Sequence, residues 1–62
     1  MKLEDLIENS TYVLKSGRLI VLTKVTLGLC RFNNFNAGGG GECVPYEIDY
    51  QFSRETLPEL FL

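Results

Sequence analysis

The sequence predicts a small α+β domain: a short N-terminal helix lying on a strongly bent antiparallel β-meander, with a short helical turn at the C-terminus. Three observations predict it. The opening "LEDLIEN" spaces Leu3, Leu6 and Ile7 as one face of a helix. The stretch from Thr11 to Phe32 is dense in aliphatic and β-branched residues and is punctuated by Gly17 and Gly28. Residues 46–52, "YEIDYQF", alternate apolar and polar with a period of two.

Each element follows from local chemistry. In the first segment Glu4 and Asp5 fall in the opening turn, where the helix dipole favours acids, and Asn9 and Ser10 supply a stop. Alone this piece is too short to be helical in water, so its apolar side chains must pack on a sheet. "TYVLKSGRLIVL" reads as a hairpin with Ser16-Gly17 as a two-residue loop. Setting Lys15 opposite Arg18 pairs Leu14 with Leu19, Val13 with Ile20 and Tyr12 with Val21. Tyr12, Leu14, Leu19 and Val21 then share one face, and Val13 and Ile20 the other. The second strand reads on through "RLIVLTKVTLGLCRF", with Ile20, Leu22, Lys24 and Thr26 on its second face. That is long for a strand, and Gly28 is the expected bulge or sharp bend. A long strand bent at glycine suits an SH3-like or other small barrel, in which one segment serves two sheets.

Beyond it, "NNFNAGGGGEC" places four glycines, Gly38 to Gly41, between two strands. Pro45 marks the next strand start, because it cannot donate a ladder hydrogen bond. Tyr46, Ile48, Tyr50 and Phe52 point to the core, and Glu47, Asp49 and Gln51 to water. In the tail, Thr56 and Glu59 fit a capping box with Pro58 in the first turn. Leu57, Leu60, Phe61 and Leu62 make an apolar end that packs on its own sheet or on another copy.

Length and composition narrow the function. Sixty-two residues make one small domain, 1–62, which buries only about 60% of its unfolded surface. Chains of this size draw support from disulfides, metals or partner subunits. The net charge is −2, with six basic residues scattered singly, so no cationic groove for nucleic acid is legible. There is no histidine, the commonest general base and metal ligand. Cys30 and Cys43 alone cannot complete a tetrahedral zinc site. Neither a metal nor an organic cofactor is expected. The first residues carry acids and no long apolar run, which is not the pattern of a secretory signal, and no stretch approaches a membrane span. The expectation is a cytoplasmic protein with reduced thiols.

The glycine run fails as a phosphate cradle of the Walker type, since Glu42 and a strand follow it where a lysine and a helix are required. A slack connection is the first reading, a partner contact the second and an anion nest the third. Phe32, Phe35, Tyr46 and Tyr50 beside Arg31, Asn33, Asn34 and Asn36 suggest a stacking platform, but the basic groove that single-strand binders need is missing. Tyr46 and Tyr50 are assigned to the core, and Phe35 or Phe32 to an interface. Glu47 and Asp49 are assigned to a wet strand face rather than to paired acid–base chemistry. Ser10, Ser16 and Ser53 have no histidine to activate them, so no catalytic residue is assigned and an enzyme is not expected. The candidate binding residues are Arg31, Phe32, Asn34, Phe35, Gly39 and Gly40.

The run "LEDLIENSTYVLKSGRLIVL" resembles the start of small proteins carried by bacterial phages and prophages, through Leu3, Leu6, Val13, Leu14, Lys15 and Gly17. The match covers the first third of the chain. It implies a phage-type accessory protein, including inhibitors aimed at host defence or transcription, and it carries over no functional residue. The leading expectation is a non-catalytic protein that occludes a host protein. The alternatives are an oligomer that captures a small anionic ligand such as a nucleotide, using Arg31 and the glycine loop, and then a single-stranded nucleic-acid binder. A homo-oligomer, most simply a two-fold dimer, is expected. Its contacts are assigned to Ile20, Leu22, Phe35, Leu60, Phe61 and Leu62.

Overall fold

The computed structural model describes residues 1–53 and residue 55. Its architecture is all-β. Five antiparallel strands, β1 (Thr11–Leu14), β2 (Leu19–Thr26), β3 (Leu29–Asn34), β4 (Gly40–Cys43) and β5 (Ile48–Phe52), form one sheet in the order β4-β3-β2-β1-β5. The α+β expectation is overturned. Leu3–Asp5 forms a single 3-10 turn and Leu6 is already extended, at φ −88° and ψ 133°. A nucleus of so few residues does not propagate, and two competing contacts stop it. The Ile7 amide donates to the Tyr12 hydroxyl at 2.9 Å. Leu6 packs on the core while Ile7 stays 58% exposed, so the three residues never share one buried face. The C-terminal helical turn, with Leu60, Phe61 and Leu62, lies outside the described residues.

The N-terminal segment covers the sheet as an extended strap instead. Its Met1 amino group donates to the carbonyls of Ile48 (2.7 Å) and Pro45 (3.2 Å). Asn9, at φ 70°, turns the chain into β1, and the Asn9 and Leu22 amides donate to Leu22 and Ser10 carbonyls, extending the β1–β2 ladder. Glu8 accepts from the Val25 amide at 2.9 Å. The sheet has β4 and β5 as its two edges, and among the described residues no ladder joins them, so the expected barrel is not closed by backbone pairing. Among the described residues no helix is long and apolar enough to cross a membrane.

The first hairpin pairs one residue away from the expected register. Its loop is Lys15-Ser16-Gly17, not Ser16-Gly17: the Leu14 amide donates to the Arg18 carbonyl (2.9 Å), and Gly17 takes φ +92°. Three-residue loops of this kind place glycine at the left-handed position. The pairs are therefore Val13–Leu19, Tyr12–Ile20 and Thr11–Val21. A slip of one residue exchanges the faces of one strand against the other. Tyr12 and Leu14 thus share their face with Ile20 and Leu22, and all four are buried. Ile20 and Leu22, assigned above to a subunit contact, are fully enclosed by their own chain.

The long second strand is two strands. Leu27-Gly28 reverses the chain between the paired Thr26 and Leu29, with Gly28 at φ +86° and the Thr26 hydroxyl donating to the Leu29 carbonyl at 2.7 Å. The bulge sits earlier, at Thr23, between the pairs Leu22–Phe32 and Lys24–Arg31. One extra residue inverts the alternation. Val25 therefore joins Ile20 and Leu22 on the core face, opposite Cys30.

A second bulge, at Asp49, divides β5 in the same way. Leu14 pairs with Ile48, but Val13 pairs with Tyr50 and Thr11 with Phe52. Ile48 enters the core cluster, whereas Tyr50 and Phe52 turn to the opposite face. There Phe52 meets Phe35 edge-to-face, with ring centroids 5.3 Å apart. Tyr46 and Tyr50, expected in the core, are 73% and 45% exposed. Tyr46 lies in the 3-10 turn Pro45–Glu47, before the strand starts, with the Lys15 ammonium 3.5 Å from its ring centre.

Candidate functional site

The expected binding residues lie on the β3–β4 hairpin and just beyond it, but they do not share one exposed face. β3 alternates Cys30 and Phe32 inward with Arg31 and Asn33 outward. Phe32 is buried in the core cluster, so it is no exposed hot spot. Arg31 points away from the core and lies opposite Glu42, Nε to Oε2 3.5 Å, with both side chains well exposed. Such a pair adds little stability. It nonetheless places a carboxylate beside the one cation that the anion-binding reading requires, several residues from the loop tip. Phe35 is half-buried against Phe52.

The glycine run is half strand. Gly40 and Gly41 belong to β4, paired with Asn33 and Phe32. A Cβ at Gly40 would overlap the Phe32 carbonyl oxygen and come within 2.9 Å of the Asn33 Oδ1. A Cβ at Gly41 would stand 3.2 Å from the tip of the Phe32 ring, which lies over that glycine. These glycines admit an aromatic ring across the strand. Gly39, at φ +87°, closes the turn, its carbonyl accepting from the Asn34 amide at 3.0 Å. The Asn34 Nδ2 donates to the Gly38 carbonyl at 3.0 Å, and its Oδ1 is enclosed without a partner. The Gly38 and Gly39 carbonyls are thus both taken up by Asn34. The slack connection expected here is a built hairpin.

The surface that does stand out was not assigned from sequence. Leu27, at the tip of the β2–β3 turn, is 95% exposed. Leu29 and Val44 are each 40% exposed. They flank the Cys30–Cys43 pair, one step toward the turn, on the face away from the core. The outward residues Lys24, Arg31 and Glu42 border them. Leu29 and Val44 thus lie next to one charged row on this face. The turn is held by the Thr26 hydroxyl and by the glycine geometry, so Leu27 is presented on a fixed support. The signal in sequence is the tetrad "TLGL", in which glycine can reverse a chain as readily as bend it.

Burial restrains the two thiols without removing their chemistry. Burial pushes both thiols up; Cys43 rises to about 11, through burial first and then through Cys30 and Glu47. A thiol held mostly neutral is a slow nucleophile and a poor metal ligand at neutral pH. Among the described residues no group of three or more His, Cys, Asp or Glu side chains could hold a metal ion. No family model, curated protein or solved structure matches this chain.

Proposed function

We propose that this chain is a non-catalytic binding protein of the phage accessory kind, which works in the cytoplasm by covering part of a host protein. Leu27, Leu29 and Val44 form its contact centre. The supporting observation is a leucine left 95% exposed on a constrained turn, beside two further outward apolar residues. Single exposed leucines are ordinary on protein surfaces. Exposed apolar groups next to charged residues fit the make-up of an interface, in which few residues carry most of the affinity. Arg31 supports a place in that charged row better than anion capture, because Glu42 already faces it. A second copy of the chain is the other occupant of this surface, as a two-fold dimer.

The test is a matched pair of capture experiments from bacterial lysate, with the wild-type chain and Leu27→Asp immobilised at equal density. A host protein retained in fixed ratio by the wild type and lost by Leu27→Asp supports the proposal. Equal retention by both removes it. Light scattering on the free chains separates the dimer: a wild-type dimer that Leu27→Asp turns to monomer assigns the surface to self-association instead.

A further inference from the structure

Cys30 and Cys43 face each other across the β3–β4 ladder as direct partners, and both are free thiols enclosed in the same core cluster. Side chains of directly opposed residues in an antiparallel pair leave the sheet on the same side, with Cβ atoms about 4.5–5.5 Å apart. A disulfide requires about 3.5–4.5 Å. The Asn34 amide, four residues along the same ladder, donates to the Gly39 carbonyl, so Cys30–Cys43 is a pair of the hydrogen-bonded type and sits at the wider end of the cross-strand range. The gap to be closed is therefore about 1–2 Å. β4 can supply that movement, because among the described residues it is an edge strand bonded only to β3. We propose that the β3–β4 hairpin is a redox-lockable element: Cys30 and Cys43 close into an intramolecular disulfide when the surrounding thiol pool becomes oxidising.

The chemistry is a two-electron exchange with a small-molecule disulfide such as oxidised glutathione. The Cys43 thiolate attacks one sulfur of that disulfide and expels one glutathione thiolate, which takes up a proton. Cys30, deprotonated in turn, attacks the Cys43 sulfur of the mixed disulfide and expels the second. The two protein thiols are oxidised to one disulfide, and one glutathione disulfide is reduced to two thiols. Cys43 is the first to react, because it lies on the edge strand and retains slight exposure while Cys30 has none. Burial keeps both thiols protonated, so exchange is slow at neutral pH and quickens with rising pH. In a reducing pool the pair stays open. Once formed, the bond closes residues 31–42 into a loop and restricts the unfolded chain.

The test brings the full chain to equilibrium in glutathione redox buffers from both directions, starting reduced and starting oxidised. Intact mass and thiol titration are the readouts, and thermal unfolding follows. The expected result is a monomer lighter by two hydrogens, with no titratable thiol and a melting temperature higher by roughly 10 °C or more. Cys30→Ser and Cys43→Ser each abolish the mass change and the thermal shift. Because the wild-type mass alone decides the point, a variant that fails to fold leaves the test intact. Persistent glutathione adducts, intermolecular dimers or two free thiols throughout the oxidising buffers would overturn the proposal.

Discussion

Two glycine-containing reversals border β3, and they use glycine to opposite ends. At the β3–β4 end, Gly40 and Gly41 are bare so that the Phe32 ring and backbone can pass over β4, and the residues there are consumed by the fold. At the β2–β3 end, Gly28 meets open space and serves only to reverse the chain, which lifts Leu27 clear of the sheet. The end with the conspicuous glycine run is structural. The end with one glycine between two leucines presents the exposed apolar surface. Conspicuous composition is thus a poor guide to which end of a hairpin exposes apolar surface, because sterics across the strand decide it.

The sharpest way to break this comparison is to remove what the glycines accommodate. Phe32→Ala should destabilise the fold by about 3–5 kcal/mol, the range for emptying a buried aromatic site. That is a large share of the total stability of so small a domain, and the fraction folded by circular dichroism in a urea series would report it. A loss below about 1 kcal/mol would mean that the ring is not part of the core. Next in size is Gly40→Ala, which should cost about 3 kcal/mol or more because its Cβ would meet backbone that cannot swing away. Gly38→Ala, with nothing near its Cβ, should stay within about 0.5 kcal/mol. Equal costs at the two positions would return the run to a slack loop.

A pH series sharpens the contrast further. The Cys43 thiol is held from 9.0 up to about 11, so the folded state favours the neutral form. That contribution is complete below pH 9, and is lost as pH rises through about 11; it amounts to about 2–3 kcal/mol at most. Under reducing conditions the denaturation midpoint of Cys43→Ala should fall less steeply than that of the wild type over this window, and parallel slopes would contradict the burial. The smallest effect on stability belongs to the exposed end. Leu27→Asp should change it by no more than about 0.5 kcal/mol while weakening the partner complex roughly thirtyfold, as loss of a hot-spot anchor does. Calorimetric titration of the captured partner would measure it.

The pattern of misreading has one source. Tyr12, Leu14, Ile20, Leu22 and Ile48 were all legible as strand residues, because alternation and β-branched content are local. Which face each strand presents was not, because the loop at Gly17 is longer by one residue, and single extra residues at Thr23 and Asp49 each invert the period of two. Those offsets moved Ile20 and Leu22 from a supposed contact into the core, and moved Tyr50 out of it. The Leu3-Leu6-Ile7 spacing predicts a helix because its period is helical. The strap instead follows hydrogen bonds to Tyr12 and Leu22, partners that the spacing does not reveal.

By itself, the sequence determined that this chain is small and β-rich, that Gly17 and Gly28 mark changes of direction, and that histidine chemistry is excluded, because these follow from residue type and near-neighbour spacing. Tertiary structure alone decided the register, the two bulges, the pairing of Cys30 with Cys43 and the exposure of Leu27 at a turn tip. Each of those depends on how many residues separate two strands that must bury the same face, and a difference of one residue reverses which side chains meet water.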